Sequence, residues 1–422
     1  MMKKKEIIAC LKADKHITGY ELTIEDKDSR ELFYVLDHLE INRAVNTKDV
    51  SVKVYVSDKK TTGSSTVVVT AADDERSLKK KLSKAVTQAK AAKNAYYPLA
   101  EKSENIKETK KISKDLNEIA MDVAKAVFKA DVYKNGWINS TEIFVSKFKE
   151  EFINSNGVDH SVESFKIEIE CIPTWSNKKE EFELYKFYES NKVDLKQITA
   201  EIDEILNNAK ARSNAVTIKD VDIPEDVKVL VKNDMLEVIM RTLAMDMNYR
   251  NVFMHQNHYK KGDIVSENPF TMTMKPSISG CAASRKFDSH GTVLKSVSLI
   301  KKGIASGTYG DIQFGHYLGD GKISGNLPVC EVKAEGVALK KEKHLIIENF
   351  SSPQMESDSG YWGGEVRLAR YFDGKKYIPL TGFSIAGDIY EDLKHVEFSK
   401  EETVQSRYKG PKYMIFKGIK IS

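Results

Sequence analysis

The chain has 422 residues, 41% of them hydrophobic and 30% charged, with 66 basic against 62 acidic side chains and a net charge of +4. That length is too great for one small core and implies two or three domains. The near-balanced charge argues against an obligatory nucleic-acid or acidic-membrane partner, and with no apolar run of about 18 residues a membrane-spanning helix is excluded.

The start is basic, from Met1 to Lys5, but the apolar run from Ile7 to Leu11 is too short for a secretory signal. A cytoplasmic protein is expected. Its four cysteines, Cys10, Cys171, Cys281 and Cys330, form no C-x-x-C pair and read as reduced structural thiols.

In chain order, a short helix carries Ile7, Ile8 and Leu11, and strand-like stretches follow at 20–24 and 31–36. Val52, Val54 and Val56 alternate with Lys53, Tyr55 and Ser57, the period of a half-buried strand, and a polar turn leads to residues 66–70 as in a hairpin. Leu78, Leu82, Ala85, Val86 and Ala89 recur at helical spacing. The lysines on the other faces of that helix have no interleaved arginines or aromatics, so they read as a solvated face. Residues 101–111 are polar, lysine-rich and aperiodic, a linker.

Beyond it, Leu116, Ile119, Ala120, Val123 and Val127 form an apolar helical stripe. Strands are expected at 137–153, 165–172 and 181–188. A second amphipathic helix runs from Leu195 to Ala209, with Asp194 and Gln197 as a capping box. Pro224 opens the last segment, with a strand at 227–231 and a helix at 234–247. Five glycines precede residue 280 and 18 of the 23 lie from Gly280 onward, so the C-terminal part should be a turn-rich, β-rich domain of barrel-like form. The expected fold is α+β: an N-terminal α/β domain with its linker (1–110), a middle α/β segment (111–222) and a C-terminal β-rich domain (223–422).

Catalytic motifs are mostly absent: there is no H-E-x-x-H, no G-x-S-x-G, no phosphate loop and no dinucleotide fingerprint. The nearest metal pattern is His255-Gln256-Asn257-His258, two histidines able to share one helix face. It lacks an accompanying glutamate, and His290 or His316 would have to complete it. Asp288 with His290, and Asp311 with His316, are acid–base pairs if their loops meet, and serve equally well as loop and cap residues.

Several collinear stretches resemble the TldD/PmbA family, once described as modulators of DNA gyrase and now seen as metalloprotease-like. Ile138-Asn139-Ser140-Thr141-Glu142 through Gly157-Val158-Asp159 looks like its middle region. Phe287-Asp288-Ser289-His290-Gly291 with Leu299-Ile300-Lys301-Lys302-Gly303 resembles its "F-D-x-E-G … L-I-x-x-G" signature, with His290 where glutamate is usual. Ser324-Gly325-Asn326-Leu327, the stretch from Asp358 to Gly364, and Pro379 through Thr381-Gly382 to Ala386-Gly387-Asp388 resemble its later motifs.

Catalytic members of that family carry H-E-x-x-x-H on a C-terminal-domain helix, completed by a late cysteine. The comparable helix here has Met240, Arg241 and Met245 at those places, and no cysteine follows Cys330. Methionine does not replace imidazole on zinc, and Arg241 repels a dication. The resemblance is therefore to the TldE (PmbA) branch. It implies a non-catalytic, cofactor-free subunit that pairs with a zinc-bearing TldD-like paralogue, or with itself as a dimer, in processing unfolded or short peptides. An extended peptide would add to an exposed strand edge, near Gly303, Gly325, Asn326, Gly360 and Gly363. The alternatives are an active metallopeptidase using His255 and His258, and a stand-alone homo-oligomeric peptide-binding scaffold.

Overall fold

The structure, a computed structural model, describes residues 2–110, 112, 114–338 and 342–422. Met1, in the basic start, and Lys111, at the end of the expected linker, lie outside the described residues.

Helix α1 (Lys4–Ala13) leads into β1 (Gly19–Val35), β2 (His38–Ser57), β3 (Thr61–Val69), α2 (Glu75–Ala91), β4 (Asn94–Ala95) and β5 (Lys107–Glu108). Helix α3 (Leu116–Phe128) precedes the long pair β6 (Gly136–Asn154) and β7 (Asp159–Ser176), then β8 (Glu181–Glu183), β9 (Lys186–Ser190) and α4 (Leu195–Ser213). These strands make one nine-stranded sheet in the order β4-β3-β2-β1-β6-β7-β5, with β8 and β9 also bonded to β7. The sheet runs through both N-terminal segments, because β1 pairs with β6 from Glu21 opposite Asn154 to Val35 opposite Ser140.

The stretches expected as two strands, 20–24 and 31–36, are one strand of 17 residues. Its polar middle, from Glu25 to Arg30, is bonded by β2 on one side and β6 on the other. Ladder bonds hold it in place although Ser29 is its one buried side chain. Alternation puts Leu22, Ile24, Val50, Val52 and Val54 in a core with α1 and α2, and Leu32, Ile143, Val145, Ile167 and Ile169 in another with α3 and α4. Leu22, Ile24 and Leu32 share parity along β1, so all four helices cover one face. Glu25 opposite Glu150, Glu150 opposite Val162 and Phe148 opposite Ser164 therefore look out from the other face. Asp194 caps α4 as expected, its carboxylate accepting the Gln197 N–H at 3.1 Å.

The remainder begins with β10 (Val216–Thr217), β11 (Lys228–Val231), α5 (Asn233–Asp246) and α6 (Tyr249–Phe253). Next come β12 (Phe270–Lys275), β13 (Val297–Lys301), β14 (Ile304–Ala305), α7 (Ile312–Tyr317) and β15 (Val329–Ala334). Strands β16 (His344–Met355), β17 (Tyr361–Phe372), β18 (Tyr377–Thr381) and β19 (Phe383–Asp388) follow, then α8 (Ile389–Asp392) and β20 (Glu397–Phe398). The last are β21 (Glu402–Val404), β22 (Tyr408–Pro411), β23 (Met414–Phe416) and β24 (Lys420–Ile421).

They form a nine-stranded sheet, β10-β18-β17-β16-β11-β23-β20 with β19 and β24 attached, and a six-stranded sheet, β14-β13-β12-β15-β22-β21. One core with residues from α5 and both sheets includes Leu236, Met240, Met272, Val332, Leu345 and Phe416. This part is β-rich as expected, so the α+β class holds. The barrel-like form does not: among the described residues both sheets stay open, ending on β10 and β20 and on β14 and β21. Gly418, at a φ of +72°, turns the chain between β23 and β24. Among the described residues no helix is long and apolar enough to cross a membrane.

Candidate functional site

The open face of the first sheet and the C-terminal part enclose a cleft of about 910 Å³. From the sheet come Glu25, Phe148, Glu150 and β7 residues 162–166; the other wall includes Met274, Arg285, Tyr309, Asn326 and Arg407. Helix α5 contributes Glu237, Met240, Arg241, Ala244 and Met245, continued by Asn248. Their spacing of three and four residues puts them on one helix face. Met240, Arg241 and Met245, the three positions that the resemblance gives to the absent zinc motif, therefore lie on the cleft wall. Met240 is 1% exposed and packed into the core, Met245 is 44% exposed, and Arg241 is exposed.

One wall is a strand edge. On the outer side of β7, β5 pairs at Ser161 and Val162, and β9 pairs from Ile167 to Cys171. Among the described residues no strand pairs with 163–166 on that side, and all four residues line the cleft. The Ser161 N–H donates outward to Ile106 O at 2.8 Å. By the two-residue period of a strand, the backbone groups of Glu163 and Phe165 point the same way. The gap thus offers main-chain donors and acceptors to an incoming extended segment.

The expected cleft residues divide. Asn326 lines the cleft, and its N–H donates to Asp288 Oδ2 at 3.1 Å. Gly325, beside it at a φ of +76°, has no room for a side chain, because a Cβ would stand 2.5 Å from Leu294. Gly303, Gly325, Gly360 and Gly363 are not among the lining residues; Gly363 pairs with Ala386 inside the second sheet.

Asp288 and His290 are neighbours, but their side chains serve different partners. Burial pushes the Asp288 carboxyl up. Its Oδ1 accepts the backbone N–H of His290 and of Thr292, both at 3.0 Å. The His290 ring turns away to Glu21, 3.2 Å distant. Asp311 caps α7 by accepting the Phe314 N–H at 3.0 Å, while the His316 ring rests against Tyr96 and Tyr317.

His255 and His258 lie past the end of α6, not along a helix. His255 has a φ of +56°, which terminates the turn, and the His258 ring stacks on Tyr390 with centroids 3.9 Å apart. The backbone of the loop is held by Asp246, whose carboxylate accepts the N–H groups of His258 and Tyr259. Among the described residues no group of three His, Cys, Asp or Glu side chains converges as a metal site. The side chains at the positions that the resemblance gives to the zinc motif do not fit that metal either. Two thioethers, one of them in the core, and a guanidinium offer neither imidazole nor carboxylate.

Sequence reasoning missed Glu25, Glu150, Glu237, Arg250, Arg285 and Arg407, all of which line the cleft. Burial pushes the Glu237 carboxyl up, against the hydrogen bond from the Arg407 N–H at 3.3 Å. Burial likewise raises Glu25, helped by Glu150 beside it. For Glu237 a signal existed, since it stands one turn before Arg241 on the same face. The others meet only through tertiary structure.

Residues 224–422 match the family model described as the PmbA/TldA metallopeptidase C-terminal domain. Through that domain the chain resembles the TldD/PmbA family. The fold is shared over nearly its whole length with TldE from Thermococcus kodakarensis: TM-score 0.81, 16% identity, 99% of this chain and 100% of that one covered. A protein described as a modulator of a DNA gyrase from Thermotoga maritima superposes with TM-score 0.79 at 13% identity, covering 99% of both chains. One so described from Bacteroides thetaiotaomicron gives 0.78 at 14%, covering 99% of this chain and 98% of that one. No curated protein matches the chain by sequence.

Proposed function

We propose that the chain is the non-catalytic, TldE-type subunit of a two-component peptide-processing assembly, and that it holds extended peptide in the cleft. The observation that carries this reading is the α5 face: Met240, Arg241 and Met245, which the resemblance aligns with the zinc motif, stand on the cleft wall. A cleft kept open beside a wall without metal donors suits binding better than hydrolysis. The gap in the β7 ladder at 163–166 supports the same reading, because main-chain pairing there accepts many sequences. Zinc and the general base would come from a TldD-like paralogue, with a second copy of this chain as the alternative partner. We place the assembly in the cytoplasm, where Cys10, Cys171, Cys281 and Cys330, all buried free thiols, stay reduced.

The test is purification of the tagged chain from its own host, followed by mass spectrometry and elemental analysis. A stoichiometric partner bearing H-E-x-x-x-H, with zinc removed by mutating that partner's motif, supports the proposal. One zinc per chain in the protein purified alone, lost in a His255→Ala/His258→Ala variant, would overturn it.

A further inference from the structure

The charges lining the cleft are not evenly matched. Arg285 is paired with Glu150 at 2.7 Å, Lys286 with Glu108 at 3.2 Å and Lys166 with Glu189 at 2.8 Å. Glu163 is taken by Lys147 at 3.1 Å, and Asp311 by the end of α7. Of the remaining carboxylates, Glu25 and Glu237 are both pushed by burial toward the neutral form. Arg407, the cation that faces Glu237, offsets part of that.

Arg241 and Arg250 have no such partner among the described residues. Both are exposed, both line the cleft, and they flank the junction of α5 and α6. A guanidinium keeps its charge throughout the working pH range and presents a planar fork of N–H donors that matches a carboxylate in two parallel bonds. In a partly enclosed space such a pair is stronger than on an open surface, because fewer waters compete.

We propose that Arg241 and Arg250 form a carboxylate-binding pair, so that the peptides taken by the cleft are those carrying a carboxylate near the β7 edge. The carboxylate is either the free C-terminus of the peptide or an acidic side chain within it. The inference rests on the reading of the cleft as a peptide site and adds the class of peptide. In this view Arg241 holds an anionic group of the ligand at the place that the resemblance gives to the glutamate of H-E-x-x-x-H in catalytic members.

The test is fluorescence anisotropy with the purified full-length chain and three N-terminally labelled peptides of one extended sequence. One has a free C-terminus, one a C-terminal amide, and one an amide with a single internal glutamate. The free acid or the glutamate peptide should bind roughly tenfold more tightly than the neutral amide, and whichever gains identifies the source of the carboxylate. Arg241→Gln should abolish that difference, Arg241→Lys should keep part of it, and raising salt should weaken only the carboxylate peptides. Equal binding of all three peptides to the unmodified protein overturns the carboxylate pair and leaves the peptide cleft standing. Failure of all three to bind overturns both.

Discussion

His290 Nδ1 stands 3.2 Å from Glu21 Oε1, joining the loop after Phe287 to the first strand of the N-terminal sheet. The same loop is held a second time, by His160, whose Nε2 lies 3.0 Å from Gly291 O and whose Nδ1 accepts the Ile106 N–H at 3.1 Å. The two histidines titrate in opposite senses. Burial alone would push His290 down from 6.5, but the hydrogen bond and charge of Glu21 outweigh it and the value is raised. Its contribution to stability is therefore complete below 6.5 and is lost as pH rises through the raised folded value. Burial lowers His160 from 6.5, so its contribution is complete above 6.5 and is lost as pH falls through the lowered folded value. His290→Gln should cost about 1–2 kcal/mol near pH 5.5 and much less near pH 8.5, and His160→Gln the reverse. Denaturant melts at the two pH values check this; parallel losses for both variants would refute it.

The two methionines on the α5 face should separate under mutation. Met240 is 1% exposed within the large core, so Met240→Ala should cost about 2–4 kcal/mol. Met245 is 44% exposed, and Met245→Ala should change stability by less than about 0.5 kcal/mol. Urea unfolding of both variants gives the comparison, and similar losses would show that the helix does not present the face described.

Proline distinguishes the two sides of β7. The Glu163 backbone points outward into the gap, so Glu163→Pro should remove one peptide contact, lowering affinity on the order of tenfold. Its stability loss should stay near 1 kcal/mol, because the Lys147 pair that it also deletes is partly exposed. Ser164 points its backbone at β6, opposite Phe148, and Ser164→Pro should cost about 3 kcal/mol. Peptide titration and thermal melts of the two variants measure this, and a Glu163→Pro protein with undiminished peptide affinity would remove the edge from consideration.

Lys232, directly after β11, is buried between Glu204 of α4 at 2.8 Å and Glu348 of β16 at 2.6 Å. Burial works against its charge, yet the two carboxylates, Glu348 first, hold its pKa above the usual lysine range. Lys232→Met would leave Glu348, 7% exposed at its side chain, with Arg370 alone at 3.1 Å. A loss of roughly 3 kcal/mol is expected, partly recovered when Glu348→Gln is added. Chemical denaturation of the single and double variants decides it; a double variant no better than the single would show that the charge is not the cause.

Periodicity was enough where side chains bury on one face. Leu78 to Ala89 and Leu195 to Ala209 gave helices close to α2 and α4, and the alternation from Phe165 to Cys171 lies inside β7. It failed at residues 38–49 of β2, which are almost wholly exposed and extended only because β1 bonds to them. The α5 face was legible as three substituted positions, but the cleft was not. Arg285 reaches Glu150 across 135 residues of sequence, and Glu237 bonds the Arg407 backbone across 170. No local pattern encodes distances of that kind. The histidine pair misled for the opposite reason: spacing alone cannot reveal that His255 adopts a left-handed backbone and ends the turn.

Strand β11 has only four residues, and its two neighbours are β16, parallel from Lys228 opposite His344, and β23, antiparallel from Val229 opposite Phe416. During synthesis, then, the middle of the second sheet is made early, gains its first neighbour only with β16 and is not flanked on both sides until residues 414–416 emerge. The C-terminal core cannot be completed segment by segment as the chain lengthens, whereas β1 and β2 can zip into a hairpin at once. Such long-range closure makes folding slow and leaves β11 exposed to wrong partners in the interval.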